Sequence, residues 1–395
     1  MPRPRITLIG NGFASLFFLS YLCRPRFLPP GSRWVRRLLN HYDITLIGNG
    51  RFVYFPAIPE LITGRKRAAD IVVDVRSFLR RRQVRFLEAR ALDVLDGGRR
   101  VVTDRGEVEN DALFVGVGPE FLVDDIPGTR EHTFSPCCGL EQMEGFLQRL
   151  NRLESGVIHV GFKLNKRDGF VAGRGGQMYE CATLLHHALT QRGLRERFEI
   201  HLFSPDLEPG ETGMITDALR ARGIVLDYGY QPRAFVEGGM IDADGSLRRA
   251  DLVLFTPGIR APEWVRGSCL PITPGGHIDV DRFGQVRGLE RVFAAGDCAG
   301  HENPPAWVPH QAHMAQLRAE AAADNLRAVL AGKAPTRTYR HELSCILNMH
   351  DDALWLHVAS DGGRPFGGIF PQHSKRLISV KDAFERLFLF YLRHL

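Results

Sequence analysis

Residues 5–15 read Arg-Ile-Thr-Leu-Ile-Gly-Asn-Gly-Phe-Ala-Ser, and this stretch decides the fold. The apolar run near its start predicts a buried parallel strand, and the apolar residues 13–22 predict a helix. Between them, Gly10 allows a tight turn, and Gly12 lacks a Cβ, so a pyrophosphate can approach the backbone. Ser15 is small enough for close packing of helix against strand. This layout is typical of a dinucleotide-binding turn, in which the free N–H groups of a helix start attract phosphate.

A second signal lies near the other end of the chain, where residues 291–297 read Arg-Val-Phe-Ala-Ala-Gly-Asp. This short apolar strand ends in Gly296 and Asp297, and a carboxylate there can accept hydrogen bonds from ribitol hydroxyl groups. The alanine-rich residues 310–330 predict a closely packed helix after it. Together with the amino-terminal turn, the pattern resembles the two-part FAD site of flavoproteins with two dinucleotide folds. That resemblance implies FAD as the cofactor.

The composition is ordinary for a globular protein with a sizeable core: 44% of the 395 residues are hydrophobic and 24% are charged. The net charge of +6 is spread over arginine groups, which suits either solvated faces or an anionic membrane surface. No apolar run of about 18 residues is present, so no membrane-spanning helix is expected. The amino terminus imitates a signal peptide, but cleavage would remove the nucleotide-binding strand, so we expect a cytoplasmic protein. No motif of a nucleic-acid-binding module occurs.

The cysteines do not form a recognisable framework. Their number, seven, is odd, and their spacing fits no disulfide scaffold in a cytoplasmic chain. The sequence contains neither a Cys-x-x-Cys pair nor a cluster with metal-ligand spacing. It therefore predicts no metal site.

Strands that alternate with helices predict an α/β fold with two Rossmann-like dinucleotide-binding domains and a C-terminal segment. We expect residues 1–125 and 276–335 to form an FAD-binding domain. Residues 126–275 would form a second domain for NAD or a substrate, and residues 336–395 the C-terminal segment. No low-complexity linker separates these parts, so they should pack tightly.

Individual elements can be predicted from short apolar runs. Strands are expected at residues 42–47, 112–115, 157–160, 199–203 and 251–255, and helices at residues 178–192 and 214–222. After the strand at 112–115, Gly118 lies in a tight turn that can pass beside an adenine or a ribose. Residues 24–40 form a connection rich in proline and arginine, longer than a minimal unit needs.

Residues 43–59, Asp-Ile-Thr-Leu-Ile-Gly-Asn-Gly-Arg-Phe-Val-Tyr-Phe-Pro-Ala-Ile-Pro, narrow the family. They resemble the stretch after the second strand in sulfide:quinone oxidoreductases, flavocytochrome c sulfide dehydrogenases and type II NADH:quinone oxidoreductases. The same branch of the pyridine nucleotide-disulfide oxidoreductase-like flavoproteins is suggested by four shorter motifs: Ile126-Pro127-Gly128, Tyr179-Glu180, Pro309-His310 and Lys381-x-x-Phe384-Glu385.

Two departures from the family pattern bear on ligands. Gly48 stands where an acidic residue often binds the adenosine ribose, and Asn49 or a backbone group is expected to substitute for it. After the strand at 157–160, residues 161–168 are bulky and charged, where an NADH-binding relative carries bare glycines. The long loop instead resembles the sulfide-oxidising branch, in which this site admits substrate.

That branch oxidises sulfide at a redox cysteine pair beside the flavin. The resemblance assigns the C-terminal redox cysteine to Cys345 and an upstream one to Cys137 or Cys138. The remaining one should precede Tyr179-Glu180, but that loop has no cysteine, and Cys181 follows the pair. A thiolate there would act as a nucleophile, whereas the alternative role for each cysteine is packing as a small buried thiol.

Two further site residues come from the resemblance. Glu180, expected at the start of a helix, matches the glutamate near the quinone or flavin, although a first-turn glutamate is also favoured by the helix dipole alone. His310 matches a basic residue near the flavin pyrimidine.

Residues 379–395 predict an amphipathic helix. Six apolar residues share a face at helical spacing: Val380, Phe384, Leu387, Phe388, Tyr391 and Leu395. Such a face can pack on the core, form a homodimer or lie in a membrane interface. Because quinones reside in the bilayer, a quinone-reducing relative would need peripheral contact with the inner face of the cell membrane.

Three functions remain open at this point. The first is an FAD-dependent oxidoreductase that passes two electrons from a reduced sulfur compound through cysteine and flavin to a quinone. The second is an NAD(P)H:quinone oxidoreductase with a degenerate second cradle. The third is a flavin-binding protein without turnover, acting in sensing or assembly.

Overall fold

Strands and helices alternate through the computed structural model, which describes residues 2–23, 41–205, 213–361, 364–366 and 372–395. Within these ranges the α-helices are α1 (Phe13–Leu22), α2 (Arg76–Arg81), α3 (Thr129–His132), α4 (Leu140–Arg152), α5 (Gly175–Gln191), α6 (Gly213–Arg220), α7 (Glu263–Arg266), α8 (Ala312–Leu330) and α9 (Arg376–His394). The strands in the same ranges are β1 (Arg5–Ile9), β2 (Asp43–Gly48), β3 (Arg51–Val53), β4 (Val72–Asp74), β5 (Arg85–Glu88), β6 (Ala91–Leu95), β7 (Arg100–Thr103), β8 (Gly106–Glu109), β9 (Ala112–Val115), β10 (Glu120–Phe121), β11 (Gly156–Phe162), β12 (Phe198–Ser204), β13 (Ile224–Tyr228), β14 (Ala234–Val236), β15 (Gly239–Ile241), β16 (Leu247–Arg249), β17 (Leu252–Thr256), β18 (Ile259–Arg260), β19 (Val292–Ala294), β20 (His341–Asn348), β21 (Ala353–Asp361), β22 (Arg364–Phe366) and β23 (Gln372–His373). The predicted connection at residues 24–40 lies outside the described residues.

The first parallel sheet has the order β19-β9-β1-β2-β5. Ile6 lies opposite Ile44 on β2 and Ala112 on β9. The central strand β1 is buried on both faces, with Ile6 and Leu8 on one and Thr7 and Ile9 on the other, as expected where both faces of a parallel sheet are covered. Strand β19 pairs with β9, so the chain returns at Val292–Ala294 to the sheet that carries the amino-terminal turn.

A second parallel sheet has the order β13-β12-β11-β17. Strands β11 and β12 extend beyond the predicted segments 157–160 and 199–203, β17 lies one residue later than the predicted 251–255, and β13 was not predicted. Two parallel sheets with crossover helices confirm the predicted α/β, Rossmann-type fold.

Helix α5 begins earlier than the sequence predicts. It starts at Gly175 rather than Met178, so Glu180 lies in its second turn and not at its start. A Cβ on Gly175 would lie 2.8 Å from the Phe162 ring. The close approach to the end of β11 therefore favours glycine here despite its low helix propensity.

Helix α9 packs across α1, and the predicted apolar stripe divides. Phe388 is 9% exposed, and its ring lies against an aromatic group made of Phe13, Phe17, Phe52 and Tyr54. The Tyr391 hydroxyl donates to Ser20 Oγ at 2.9 Å. The prediction that all six apolar residues share one face was wrong, because contacts with α1 turn Phe388 and Tyr391 inward.

The other side of α9 carries large exposed apolar side chains. These are 48–69% exposed and comprise Val380, Phe384, Leu387, Phe390 and Leu395, which we call the exposed stripe of α9. No helix in the described part of the chain combines the length and the apolar character needed to cross a bilayer.

Candidate active site

The turn after β1 is built to approach a ligand closely. Gly10 has φ +97°, and a Cβ there would lie 2.4 Å from Gly116 O, so only glycine fits. Gly12 begins α1, and no heavy atom lies within 4 Å of the Cβ that it lacks. The open space in front of a helix start suits the pyrophosphate of a dinucleotide.

Asn11, which the sequence analysis did not single out, joins this turn to the end of β2. Its Oδ1 accepts the N–H of Asn49 at 3.0 Å and of Gly50 at 3.3 Å, and its Nδ2 donates to Arg51 O at 2.9 Å. A Cβ at Gly48 would lie 2.2 Å from Asn11 Oδ1. The glycine found in place of the usual acidic residue is thus explained by the Asn11 side chain beside it.

Three further residues predicted to lie in the FAD site, Ser15, Asn49 and Gly118, surround the turn after β1. Ser15 is fully buried, and a Cβ on Gly116 would lie 2.5 Å from its Oγ. Asn49 is exposed at the end of β2, where a side chain can reach a ribose. Gly118, after β9, has φ +76° with open space at its Cβ position.

Gly296 and Asp297, the second part of the predicted FAD site, lie next to the turn after β1, which forms the first part. Gly296 has φ +83°, and a Cβ on it would lie 3.0 Å from the Cβ of Ala14 on α1. Asp297 is 8% exposed. This juxtaposition of the two glycine turns was predicted from sequence, and the return of β19 to the first sheet produces it.

Asp297 has two basic neighbours. Arg174 Nη2 donates to Asp297 Oδ2, and Arg174 Nη1 donates to the main-chain oxygen of His310 at 3.1 Å. The His310 Nδ1 lies 3.6 Å from Asp297 Oδ1. Burial opposes ionisation of Asp297, but the Arg174 guanidinium outweighs it and holds the pKa of that carboxyl well below its usual range. Sequence reasoning missed Arg174, whose partner is 123 positions away.

His310 is a buried imidazole with spare hydrogen-bonding capacity. It is 4% exposed, and neither ring nitrogen has a hydrogen-bond partner among the described residues. Burial lowers its pKa to about 4, so the ring is neutral at pH 7. Buried unpaired nitrogens beside an anchored carboxylate fit a polar ligand such as the FAD ring system.

The loop at residues 163–174 lies against the residues that lead back to the first sheet. Asp168 accepts hydrogen bonds from His277 Nδ1 at 2.7 Å and Thr273 Oγ1 at 2.6 Å. Phe170 stacks on His310 with ring centroids 5.1 Å apart. Asn165 Nδ2 donates to the main-chain oxygens of Ile259 and Gly275. The loop thus forms one wall beside Asp297 and His310.

The predicted cysteines occupy two separate surroundings. Cys137 and Cys138 lie in the 3₁₀ helix Pro136–Cys138; Cys137 Sγ donates to Gln177 Oε1 at 2.8 Å, and Cys138 Sγ lies 3.1 Å from Ser135 Oγ. Cys345, on β20, is partly buried. All seven cysteines fall in the described ranges and are free thiols.

Burial keeps the candidate thiols protonated. It raises the pKa of Cys137 to about 12 and that of Cys345 to about 11. For Cys345, Glu180 raises the pKa further and Lys381 lowers it. A thiol becomes nucleophilic as a thiolate, so each of these groups would need to lose its proton during turnover.

Glu180, Lys381 and Glu60 form a buried charge cluster. Lys381 Nζ donates to Glu180 Oε1 and lies 3.7 Å from Glu60 Oε1. Glu60 is fully buried and accepts no hydrogen bond from the described residues. Burial raises the pKa of Glu180 to about 7 although Lys381 opposes the shift. The alternative reading of Glu180 as a dipole-favoured first-turn residue is wrong, because it lies in the second turn of α5 and is buried.

Sequence comparison identifies the family. The model of the pyridine nucleotide-disulphide oxidoreductase family matches residues 4–319, and the chain belongs to this family. Its cofactor is FAD, and the described turns fit that dinucleotide. Gly10, Gly12 and Ser15 would hold the pyrophosphate, with Gly296-Asp297 beside them.

Similar proteins match more than nine-tenths of the chain. A sulfide-quinone reductase of Aquifex aeolicus is 24% identical over 384 residues, covering 91% of this chain and 87% of that protein. A type II NADH:quinone oxidoreductase of Staphylococcus aureus is 21% identical over 411 residues, covering 97% and 96%. Among solved structures, the sulfide:quinone oxidoreductase of Aquifex aeolicus superposes with a TM-score of 0.83 at 22% identity, covering 99% of this chain and 91% of that one.

Proposed function

We propose that this chain is an FAD-dependent quinone reductase that draws two electrons from a reduced sulfur compound. Two similar proteins bear the names sulfide-quinone reductase and type II NADH:quinone oxidoreductase. These names agree on a quinone acceptor and differ on the donor. The loop at residues 163–174 is the observation that favours a donor other than NAD(P)H.

A nicotinamide dinucleotide needs a short glycine turn between the first strand of its domain and the following helix. Here residues 163–174 intervene between β11 and α5. Asp168 anchors the loop to Thr273 and His277, and Arg174 anchors it to Asp297. A loop held in this way offers side chains where a pyrophosphate would need bare backbone, which supports a smaller donor.

The roles proposed for the cysteines rest on the family resemblance. FAD, when bound, supplies two-electron redox chemistry. The Cys345 thiolate would form an S–S bond to the sulfur of the donor, with the two electrons of this oxidation passing to FAD and the protons to solvent, and Cys137 or Cys138 would act as its partner. In the net reaction the sulfur compound loses two electrons, and the quinone gains two electrons and two protons.

Glu180 is proposed to supply protons on the acceptor side. With a pKa of about 7, its carboxyl can hold and release a proton near neutral pH. Lys381 keeps Oε1 in place through its hydrogen bond, and Glu60 adds negative charge beside the same ammonium. Lys381 lies on α9, whose other side bears the exposed stripe, so acceptor chemistry and a membrane-contacting face would share one helix.

Peripheral attachment to a membrane belongs to the same proposal. The exposed stripe of α9 presents large apolar side chains to the outside, and exposed Arg386 and Arg393 lie on the same helix. Aromatic and aliphatic side chains flanked by arginines suit the boundary between headgroups and acyl chains.

The deciding experiment is anaerobic reduction of the purified flavoprotein. Sulfide is added in one cuvette and NADH in another, and the flavin band at about 450 nm is followed. Bleaching by sulfide alone supports the proposal. The variant Cys345→Ser should then abolish bleaching by sulfide, whereas Cys269→Ser, which changes an exposed cysteine in a loop, should bleach like the wild type.

An NAD(P)H:quinone oxidoreductase is the second candidate. It is favoured by the start of α5, where Gly175 and Gly176 adjoin and a Cβ on Gly176 would meet only Leu347 Cδ2, at 3.9 Å. Bleaching by NADH alone would establish this donor and make Cys345 dispensable. Bleaching by neither donor would favour a flavin-binding protein without this turnover.

A further inference from the structure

Three possible metal ligands meet on one face of the second parallel sheet. His159 on β11 lies directly opposite His201 on β12. Asp227 on β13 is paired with Phe203, two residues beyond His201, so the period-two alternation of strands puts it on the same face. One donor atom from each of the three residues lies within 4.8 Å of the other two. No local pattern in the sequence predicts this cluster, because its members come from three separate strands.

His159 presents an unused lone pair. Its Nε2 lies 3.2 Å from the main-chain oxygen of Arg249, and a carbonyl can only accept, so Nε2 carries the hydrogen. In the neutral ring Nδ1 is then an acceptor. That atom has no hydrogen-bond partner in the described part of the chain, although His159 is 1% exposed. A fully buried ring nitrogen without a partner is unusual in a native structure.

His201 has a carboxylate near each of its ring nitrogens. Its Nδ1 lies 3.1 Å from Asp227 Oδ2, and its Nε2 lies 3.6 Å from Glu199 Oε2. A carboxylate or carbonyl on the far nitrogen is the usual support of a ligating histidine. Arg249 O supplies this support for His159, whereas Glu199, at 3.6 Å, would have to move closer to supply it for His201.

We propose that His159, His201 and Asp227 bind a divalent transition-metal ion of the zinc type. Two imidazole nitrogens and one carboxylate oxygen are a usual ligand set for Zn²⁺, with water in the fourth position. The rings of His159 and His201 are stacked, with centroids 4.6 Å apart and planes at 22°, so the side chains must rotate to bring the three donors to distances of about 2.0–2.2 Å from an ion. The side chains of His201 and Asp227 are 17% and 22% exposed, which leaves an entry path for the ion.

Binding requires a change of partners at two groups. The hydrogen on His201 Nδ1 must move to Nε2, facing Glu199, or leave to solvent, so that Nδ1 can ligate. Arg248 Nη1 lies 3.4 Å from Asp227 Oδ2 and must yield this oxygen to the ion. Arg248 would retain its ion pair with Asp242, at 3.3 Å, and its contact with the Tyr230 ring, whose centroid lies 4.2 Å from the Arg248 Cζ.

A metal ion at this site would link strands of the second parallel sheet. It connects β11, β12 and β13, and through Arg249 O it reaches β16, which belongs to the small antiparallel sheet β14-β15-β16. None of the residues of the site takes part in the proposed electron transfer. An ion bound here would link these strands and thereby stabilise this part of the chain.

The test uses the full-length flavoprotein, freed of any affinity tag and of metal by a chelator. Zn²⁺ is titrated calorimetrically, and Co²⁺ is used as a spectroscopic probe of ligand type. We expect one equivalent to bind with a rise in the melting temperature and a Co²⁺ spectrum of nitrogen and oxygen ligation. His159→Gln and Asp227→Asn should each weaken binding by about 100-fold or more, beyond the usual loss for an outer-shell partner.

The exposed His132 on α3 provides the matched control, because His132→Gln removes an imidazole far from the cluster in sequence and should leave affinity unchanged. Flavin content of each variant verifies that it has folded. Absence of binding, a sulfur-ligated Co²⁺ spectrum, or equal affinity in wild type and both ligand variants would each overturn the proposal.

Discussion

The carboxylate of Asp168 accepts a hydrogen bond from His277 Nδ1 at 2.7 Å, across 109 positions of the chain. The same carboxylate accepts from Thr273 Oγ1 and from the N–H of Gly275, both at 2.6 Å. His277 is fully buried. One side chain therefore ties the loop at residues 163–174 to the segment that leads back to the first sheet.

Replacing Asp168 by Asn should destabilise the protein by about 2 kcal/mol, because hydrogen bonds to a charged acceptor contribute about 1.5–3 kcal/mol. Urea unfolding followed by circular dichroism measures this loss, and fluorescence of released flavin should appear at lower urea. Asp244→Asn, in an exposed turn, is the control and should stay within about 0.5 kcal/mol of wild type. Equal effects of the two variants would contradict the anchoring role of Asp168.

Two glycine substitutions separate folding from flavin binding. Gly12→Ala places a methyl group in open space at φ −82°, so the apoprotein should fold normally while flavin affinity falls by about tenfold or more, since the methyl takes space that the pyrophosphate needs. Gly10→Ala forces a Cβ to 2.4 Å from Gly116 O at φ +97° and should impair folding itself.

Flavin content and circular dichroism of the apoproteins distinguish these two outcomes. Gly213→Ala, on α6 with open space at its Cβ position, serves as the control and should retain full flavin. A Gly12→Ala protein with wild-type flavin affinity would show that the pyrophosphate does not approach this turn.

The stability of the protein should depend on the protonation of Glu180. Its pKa rises from 4.5 to about 7 on folding, chiefly because of burial, so the folded state binds more protons between these values. The stabilising contribution is complete below pH 4.5 and is lost as the pH rises through 7. Relative to Glu180→Gln, wild-type stability should fall by about 2 kcal/mol between pH 5 and pH 7.

Urea unfolding of wild type and Glu180→Gln at pH 5, 6 and 7 tests this difference. Glu237→Gln changes an exposed glutamate and should follow the wild-type curve at every pH. If the curves of wild type and Glu180→Gln run parallel, the raised pKa of Glu180 is wrong.

The exposed stripe of α9 should mediate membrane contact. Phe384 is 58% exposed and Leu387 is 69% exposed, and their joint replacement by Ser should abolish most flotation with vesicles that contain anionic lipid. Leu247→Ser removes an apolar side chain that is 60% exposed on β16 and should float like wild type. Flotation of the double variant at wild-type level would exclude this surface as the membrane contact.

Local sequence was sufficient for the elements that carry the FAD turns. The structure has α1 at Phe13–Leu22 and β9 at Ala112–Val115, both as predicted, because a glycine turn between apolar runs specifies its own geometry. At Gly48 the sequence indicated only that an acidic residue was missing. The reason for the glycine is its contact with the Asn11 side chain, which only the tertiary structure reveals.

The division of α9 also required the tertiary structure. Apolar spacing predicted one face that included Phe388 and Tyr391. In the structure these residues pack on α1, while Phe384 and Leu387 point away. Hydrophobic periodicity identifies an amphipathic helix, but it does not tell which apolar residues meet a neighbouring element.

By itself, the sequence determined the α/β class, the two glycine turns and the family, since these depend on residues that are neighbours in the chain. The tertiary structure alone decided which distant side chains meet. Lys381 donates to Glu180 across 201 positions, and the order of strands β11, β12 and β13 brings His159 to His201 and Asp227. Such contacts depend on strand order and helix packing, which leave no local pattern in the sequence.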